Sequence, residues 1–161
     1  MEGRAAAKRR PEEERVLAML SDTQRRQVKE LFDAQLQNPV QVLFYYADPN
    51  DQFTTAMQEI LSEMESLSGG KIKATQKGGR EGQAEAARYR VDQAPAMVLL
   101  DKDGNDTRIR FYGATVGYEF MVFLEDLIDV SRGVTRLSEA AREQIRAIDQ
   151  DVVVQVFSTA T

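Results

Sequence analysis

The side chains that could carry chemistry are mainly carboxylates, because the 161-residue sequence contains no cysteine and no histidine. Without a thiol there is no thiolate nucleophile, no thiol redox couple, no disulfide and no cysteine metal site. Without an imidazole, the usual general base and the commonest metal ligand are missing. Acidic pairs such as Glu125-Asp126 fall on predicted helix faces with no partner base, which gives a glycosidase-type site little support. The sequence predicts no catalytic residues, no metal and no cofactor.

Composition and charge describe an ordinary globular domain, or one domain with a tail. Hydrophobic residues make up 42% and charged residues 29% of the chain, as is usual for such domains. The net charge of −5 argues against nucleic acid as a partner, since phosphate binding needs clustered positive charge. No apolar run approaches the roughly 18 residues of a membrane span, and Met1 to Arg10 precede no apolar segment typical of a secretory signal. A cytoplasmic location is the expectation.

A predicted β-hairpin organises the elements that would position any site. Pro95 precedes the apolar run Ala96 to Leu100, an Asp/Gly-rich turn follows at residues 101–105, and a second extended run covers residues 107–112. A proline before a continuous apolar run, then such a turn and another strand, is typical of a hairpin whose first strand is buried.

The other elements are predicted from hydrophobic spacing and capping signals. Ser21 with Gln24 forms a capping-box pattern, and Ser138 is a second N-cap. Gly78 to Gly82 is predicted to be a flexible loop. It is not predicted to be a phosphate cradle, because no Gly-Lys-Ser/Thr sequence ends it. The remaining predicted helices cover residues 52–68, 83–90 and 117–130, and the remaining strands cover residues 40–46, 71–75 and 152–157. This order predicts an α/β fold with a central mixed β-sheet flanked by helices.

Several sequence stretches resemble one family closely. The sequence is similar to the N-terminal unit of the glutaredoxin-like protein disulfide oxidoreductases, which consist of two fused thioredoxin-like units and are known from thermophilic bacteria and archaea. The similarity runs from about Leu20 to the end. The stretches that carry it are Asn38-Pro39-Val40, Ala87-Arg88-Tyr89-Arg90-Val91-Asp92, Ala94-Pro95-Ala96, Arg110-Phe111-Tyr112-Gly113, Gly117-Tyr118-Glu119-Phe120, Phe123-Leu124-Glu125-Asp126, Asp129-Val130-Ser131 and Ile148-Asp149-Gln150-Asp151.

The resemblance implies a thioredoxin-like fold and three segments. Residues 20–133 form the thioredoxin-like domain, preceded by a basic arm and short helix at residues 1–19. Residues 134–161 would be a C-terminal helix and β-strand left over from a second thioredoxin-like unit. The family's strand continues into the redox motif of that second unit, whereas this chain reads Ser158-Thr159-Ala160-Thr161 and stops. We therefore expect this segment to be a possible oligomerisation element.

The resemblance also locates a candidate site. Family members carry a Cys-x-x-Cys at the start of the long helix, facing a cis X-Pro bond across a groove. The corresponding residues here are Asp51, Gln52, Phe53 and Thr54, opposite Ala94 and Pro95. They define a hypothetical peptide-binding groove without thiols. Three plainer interpretations remain open: Asp51 caps the helix, Pro95 only restrains a turn, and Tyr45, Tyr46 and Phe53 belong to the core.

Two function hypotheses follow. The first is a redox-inactive thioredoxin-fold protein that binds another protein as an accessory or scaffold subunit of a larger assembly or homodimer. The alternative is a subunit or fragment of a protein disulfide oxidoreductase whose thiols are supplied by another chain. A Val-rich strand without cover invites pairing, so the hypothetical oligomer interface consists of Val152, Val154, Val156 and Phe157.

Overall fold

The computed structural model describes residues 20–157, so the predicted arm and short helix at residues 1–19 lie outside it. Nine elements follow one another in the described part of the chain. They are α1 (Asp22–Gln35), β1 (Val40–Tyr46), α2 (Gln52–Leu67), β2 (Ile72–Gly78), α3 (Gly79–Arg88), β3 (Ala96–Leu100), β4 (Asp106–Tyr112), α4 (Tyr118–Arg132) and α5 (Glu139–Arg146).

The four strands form one sheet in the order β2-β1-β3-β4. β1 pairs with β2 in parallel and with β3 antiparallel, and β3 pairs antiparallel with β4. Strand β1 is thus central, as its continuous apolar sequence predicts, since a strand buried on both faces has no polar alternation. The predicted mixed sheet and the hairpin are both confirmed.

Helices cover both faces of the sheet. On one face α1, α2 and α4 pack against the sheet through Phe32, Met57 and Phe123, each at most 1% exposed. On the other face the 10-residue helix α3 contributes Ala86 to a smaller cluster with Leu43 and Val98. Alternating side chains of β1 and β3 divide between the two clusters because successive residues of a strand point to opposite faces.

Local signals fix where the helices begin and end. The predicted capping box is present at Ser21, whose side chain accepts from the N–H of Gln24, and Ser138 caps α5 through the N–H of Ala141. Gly133 ends α4 in the left-handed conformation, with φ of 66°, a backbone geometry that glycine adopts without steric cost. These caps determine helix bounds close to those predicted.

The predicted flexible loop at residues 78–82 is wrong. Gly78 is the last residue of β2 and α3 begins at Gly79. The glycines serve close approaches: a Cβ on Gly78 would lie 2.5 Å from the ring of Tyr46, and a Cβ on Gly82 would lie 2.7 Å from the carbonyl oxygen of Lys77. Gly78 thus lies against the neighbouring strand β1, and Gly82 lies against the end of β2, with no room for a side chain at either position.

The predicted C-terminal strand is also wrong for the single chain, since residues 151–157 pair with no strand in the described structure. A strand requires a partner for its backbone groups, and this segment lies away from the sheet, with Val156 90% exposed. None of the helices within residues 20–157 has the length and apolar character needed to cross a membrane.

Candidate functional site

The N-terminus of α2 is closed by a side-chain cap. A carboxylate oxygen of Asp51 accepts a hydrogen bond from the N–H of Thr54 at 2.9 Å, and the Thr55 hydroxyl donates to the Asp51 carbonyl at 3.1 Å. The Thr54 side chain is 1% exposed, whereas Gln52 is exposed. The capping interpretation of Asp51 is confirmed, and its carboxylate occupies the helix N-terminus where the resemblance implies a thiol.

The Ala94-Pro95 peptide bond is cis, the isomer that the resemblance implies. The carbonyl of Pro95 accepts a hydrogen bond from the N–H of Gly113 at 2.9 Å, which ties this bond to the end of β4. Ala94 is exposed, and neither its N–H nor its C=O has a hydrogen-bond partner within residues 20–157. Ala94 therefore presents free backbone donor and acceptor groups at the surface.

The fold brings the two halves of the predicted groove to the same end of the sheet. Tyr45, near the end of β1, pairs with Ala96 at the start of β3. Asp51 follows β1 in the chain and Pro95 precedes β3, so both residues lie at the same end of the sheet. The loop after β4 connects the Pro95 segment with α2, because the N–H of Gly113 bonds to Pro95 and the N–H of Thr115 lies 3.3 Å from Sδ of Met57 in α2. The sequence placed Gly113 in a stretch that carries the resemblance, but it assigned neither Gly113 nor Thr115 to the site.

Of the three aromatic residues considered for recognition, Phe53 is the one that is well exposed, at 48%. Tyr45 is 2% exposed and belongs to the smaller core cluster, and Tyr46 is partly buried and packs against the larger one. The core interpretation is confirmed for both tyrosines. Phe53 is therefore the exposed aromatic residue at the start of α2.

The buried Tyr45 is linked to the surface by a short polar chain. Its hydroxyl donates to Glu85 at 3.3 Å, and Glu85 in turn pairs with Lys77 at 3.0 Å. Burial, and then the Glu85 charge, raise the pKa of Tyr45. The hydrogen bond from Lys77 lowers the pKa of Glu85. These shifts belong to a structural network under α3, since each group already has its partner.

Within residues 20–157, no group of three or more acidic side chains could hold a metal ion. The residues of the hypothetical oligomer interface, Val152, Val154, Val156 and Phe157, are exposed, at between 59% and 90%.

The candidate groove at the end of the sheet has a capped helix, an exposed aromatic ring and a free backbone segment. None of these groups supplies a thiol, which thiol–disulfide exchange requires.

Known structures share this architecture. A mutant of the alkylhydroperoxide reductase protein AhpF of Enterococcus faecalis matches with a TM-score of 0.69 and 26% identity over 80% of this chain and 60% of that one. The NTD_N/C domain of AhpF matches with a TM-score of 0.71 and 26% identity, over 82% and 62% of the two chains. A protein disulfide oxidoreductase from Aeropyrum pernix gives a TM-score of 0.68 at 18% identity, over 82% and 57%.

The fold is therefore thioredoxin-like, as predicted, and its structural neighbours are thioredoxin-fold oxidoreductases. The chain spans about 60% of the length of the first of these structures. No protein-family model matches the sequence, and no curated protein matches it. The likeness establishes the fold class. The neighbours are named as redox proteins, and the sequence of this chain contains no cysteine.

Proposed function

We propose that this protein is a redox-inactive thioredoxin-fold module that binds an extended segment of another protein. One observation carries the proposal: the cis Ala94-Pro95 segment keeps its shape and its free backbone groups, while Asp51 caps the helix where a thiol would be needed. Loss of the reactive group with retention of the binding surface is what distinguishes a binding module from an enzyme.

The binding mode follows from the backbone. An extended peptide can pair with the unpaired N–H and C=O of Ala94, because main-chain hydrogen bonds of this kind are independent of the peptide's sequence. Phe53 supplies the side-chain contact on the α2 side of the groove, and it is large enough for an anchor residue. Affinity would thus come from the backbone, and selectivity from the residue that packs on Phe53.

The structural neighbours give this module a context. One is named as a component of an alkylhydroperoxide reductase and another as a protein disulfide oxidoreductase. A relative without thiols fits beside such enzymes as an accessory or scaffold subunit, holding a partner without reacting with it. No resident cofactor is part of this proposal.

Site-specific photocrosslinking tests the groove. A photoreactive amino acid would replace Phe53 or Ala94 in the intact chain, with Lys102 as the control position. Lys102 is exposed in the hairpin turn, which lies at the other end of the sheet because Leu100 pairs with Gln41 at the start of β1. Both groove positions should capture the same segment of one partner, identified by mass spectrometry.

The crosslinked partner then permits a quantitative test. Phe53→Ala combined with Pro95→Ala should weaken its binding at least tenfold, since the ring and the groove backbone are changed together. Val122→Ala, at a half-exposed position on α4, should leave binding unchanged. Equal capture from Phe53, Ala94 and Lys102 would place the interface elsewhere and refute the groove.

A second candidate rests on chain coverage. The chain spans 60% of the AhpF structure, so a separate chain could supply a thiol-bearing unit. If so, the captured partner would itself carry a Cys-x-x-Cys, and thiol–disulfide exchange by the complex would fall when Phe53 is substituted. A partner without cysteine would favour the scaffold function.

A further inference from the structure

The C-terminal segment has two different faces. Its valines are exposed, at 59% for Val152, 82% for Val154 and 90% for Val156. In an extended conformation these three valines share one face, because side chains alternate along a strand. Asp149 and Asp151 fall on the opposite face, followed there by Val153, Gln155 and Phe157. The segment is therefore patterned as a strand with one apolar face and one face that begins with two negative charges.

The outer edge of β4 offers unpaired backbone groups. Phe111 pairs with Met97 of β3, and the N–H of Gly113 bonds to Pro95. Backbone groups alternate in direction along an antiparallel strand, so those of Arg110 and Tyr112 point away from β3. They have no hydrogen-bond partner in the described part of the chain. This edge can accept one more strand.

The two faces beside this edge match the segment. Ile109 and Phe111 point to the apolar side and pack against the larger core cluster. The other side is basic and aromatic: Nε of Arg110 donates to the Tyr89 carbonyl at 3.0 Å, and its guanidinium lies 5.8 Å from the Tyr89 ring centre. The contact between Arg110 and Tyr89 brings the residue after Tyr89, Arg90, close to β4.

Two further arginines lie near this edge. Arg110 is paired with Asp106 at 2.6 Å, but exposed Arg90 and Arg108 have no carboxylate at salt-bridge distance among residues 20–157. Both hold positive φ angles, 56° and 66°, which are uncommon for residues other than glycine. Two exposed arginines outside any salt bridge thus lie near the open edge, in a chain whose net charge is −5.

We propose that residues 149–157 of a second copy of this chain add as a strand to the outer edge of β4, and that two copies exchange these segments reciprocally. Asp149 and Asp151 then face Arg90 and Arg108, while the valines continue the apolar face of Ile109 and Phe111. If the added strand shifted by one residue, each of its side chains would move to the opposite face of the sheet. The charged residues and the apolar residues of the segment therefore favour the same register. The inference is independent of the groove.

The other edge of the sheet is a poorer acceptor. The outward N–H groups of Ile72 and Ala74 in β2 are already bonded, to the Ser68 hydroxyl at 3.0 Å and to Glu65 at 2.8 Å. An added strand would have to displace both bonds, whereas the backbone groups of Arg110 and Tyr112 are free. The β4 edge is therefore the acceptor.

Cysteine crosslinking gives a clean test, because the chain has no cysteine of its own. Single variants Arg108→Cys and Asp151→Cys, at positions that the proposal places face to face, would be mixed and oxidised. The expected product is a disulfide heterodimer, formed at least tenfold faster than with Lys102→Cys in place of Arg108→Cys. Sedimentation of the unmodified chain over a concentration series should show a dimer.

Other outcomes overturn the proposal. Crosslinks only between two Asp151→Cys chains would mean that the segments pair with each other. A crosslink within one chain carrying both cysteines would mean that the segment folds onto its own β4. A monomer at all concentrations would show that the chain does not form this dimer. None of these results would change the expected crosslinking at Phe53, so the two proposals are tested separately.

A charge-swap experiment separates the ionic contacts from misfolding. Asp151→Arg and Arg108→Asp should each weaken dimerisation about two- to fivefold, the range for exposed ion pairs. Aspartate tolerates the positive φ at position 108 better than most residues. The double variant should recover most of the lost affinity; equal weakening by all three variants would contradict the pairing.

Discussion

The carboxylate of Asp51 accepts a hydrogen bond from the backbone N–H of Thr54 at 2.9 Å and thereby caps α2. The first N–H groups of a helix have no partner within it, so this bond stabilises the helix that forms one wall of the groove. Asp51→Ala should lower the free energy of unfolding by about 1 kcal/mol. Asp51→Asn, which retains an acceptor oxygen, should cost much less in the same denaturant titration.

The same two positions allow a test of the lost chemistry. Asp51→Cys with Thr54→Cys would place a Cys-x-x-Cys at the helix N-terminus, where the helix dipole stabilises a thiolate. We expect the dithiol form of the double variant to reduce an insulin disulfide while its own two thiols are oxidised to a disulfide, with added dithiothreitol restoring the dithiol. We also expect the first thiol to titrate below its usual range. Asp51→Cys alone is the control and should show no dithiol activity. Free thiols that stay unreactive in the double variant would mean that the groove itself has changed.

Ser131 in α4 links the helix layer to the entry of β1. Its fully buried hydroxyl accepts from the N–H groups of Gln37 and Asn38 at 2.9 and 3.0 Å and donates to the Asn38 carbonyl at 2.6 Å. Ser131→Ala would leave buried polar groups without partners and should cost about 2–4 kcal/mol. Ser62→Ala, at an exposed position of α2, should be nearly neutral in the same unfolding experiment. A Ser131→Ala loss below about 1 kcal/mol would show that water replaces the hydroxyl.

Gly82 should resist substitution although it lies inside a helix. Alanine is preferred to glycine in a helix by about 1 kcal/mol, so propensity alone predicts stabilisation. The added Cβ would instead lie 2.7 Å from the Lys77 carbonyl oxygen, and backbone cannot move as a side-chain tip can. We expect Gly82→Ala to be destabilising by about 1–3 kcal/mol, while Gln83→Ala at the exposed next position is neutral. A stabilised Gly82→Ala protein would show that α3 shifts freely on the sheet.

Asp126 of α4 should make stability depend on pH. Burial, followed by the charge of Asp129, raises its pKa above the ordinary value of 3.8. The folded state therefore binds the proton more tightly than the unfolded state, and this contribution to stability is lost as the pH rises from about 3.8 through the raised pKa. Asp126→Asn should raise the melting temperature at pH 7, and the difference should shrink below about pH 4.

Asp106 provides the control of opposite sign. The hydrogen bond from Arg110 lowers the pKa of Asp106 below 3.8, so its contribution is present at neutral pH and is lost as the pH falls through the lowered pKa. Asp106→Asn should therefore destabilise the protein at pH 7. If both substitutions moved the melting temperature in the same direction, the assigned electrostatic environments would be wrong.

Sequence reasoning succeeded where the signal is local. The capping box at Ser21, the N-cap at Asp51 and the continuous apolar run of β1 each depend on residues within a few positions of one another. It failed at Gly82, where a glycine typical of a loop lies in α3 because of a contact with Lys77. It also failed for residues 152–157, since β-propensity states what a segment prefers and not whether a partner strand is present.

The sequence by itself determined that these 161 residues hold no thiol or imidazole, that they alternate helices and strands, and that Asp51 begins a helix. Those conclusions need only composition, short spacings and caps. Only the tertiary structure decided that Ala94 keeps free backbone groups, that Phe53 is exposed while Tyr45 is buried, and that the β4 edge is open beside Arg90 and Arg108. The reason is physical: exposure and hydrogen-bond satisfaction depend on which distant segments pack together, and no short window of sequence contains both partners.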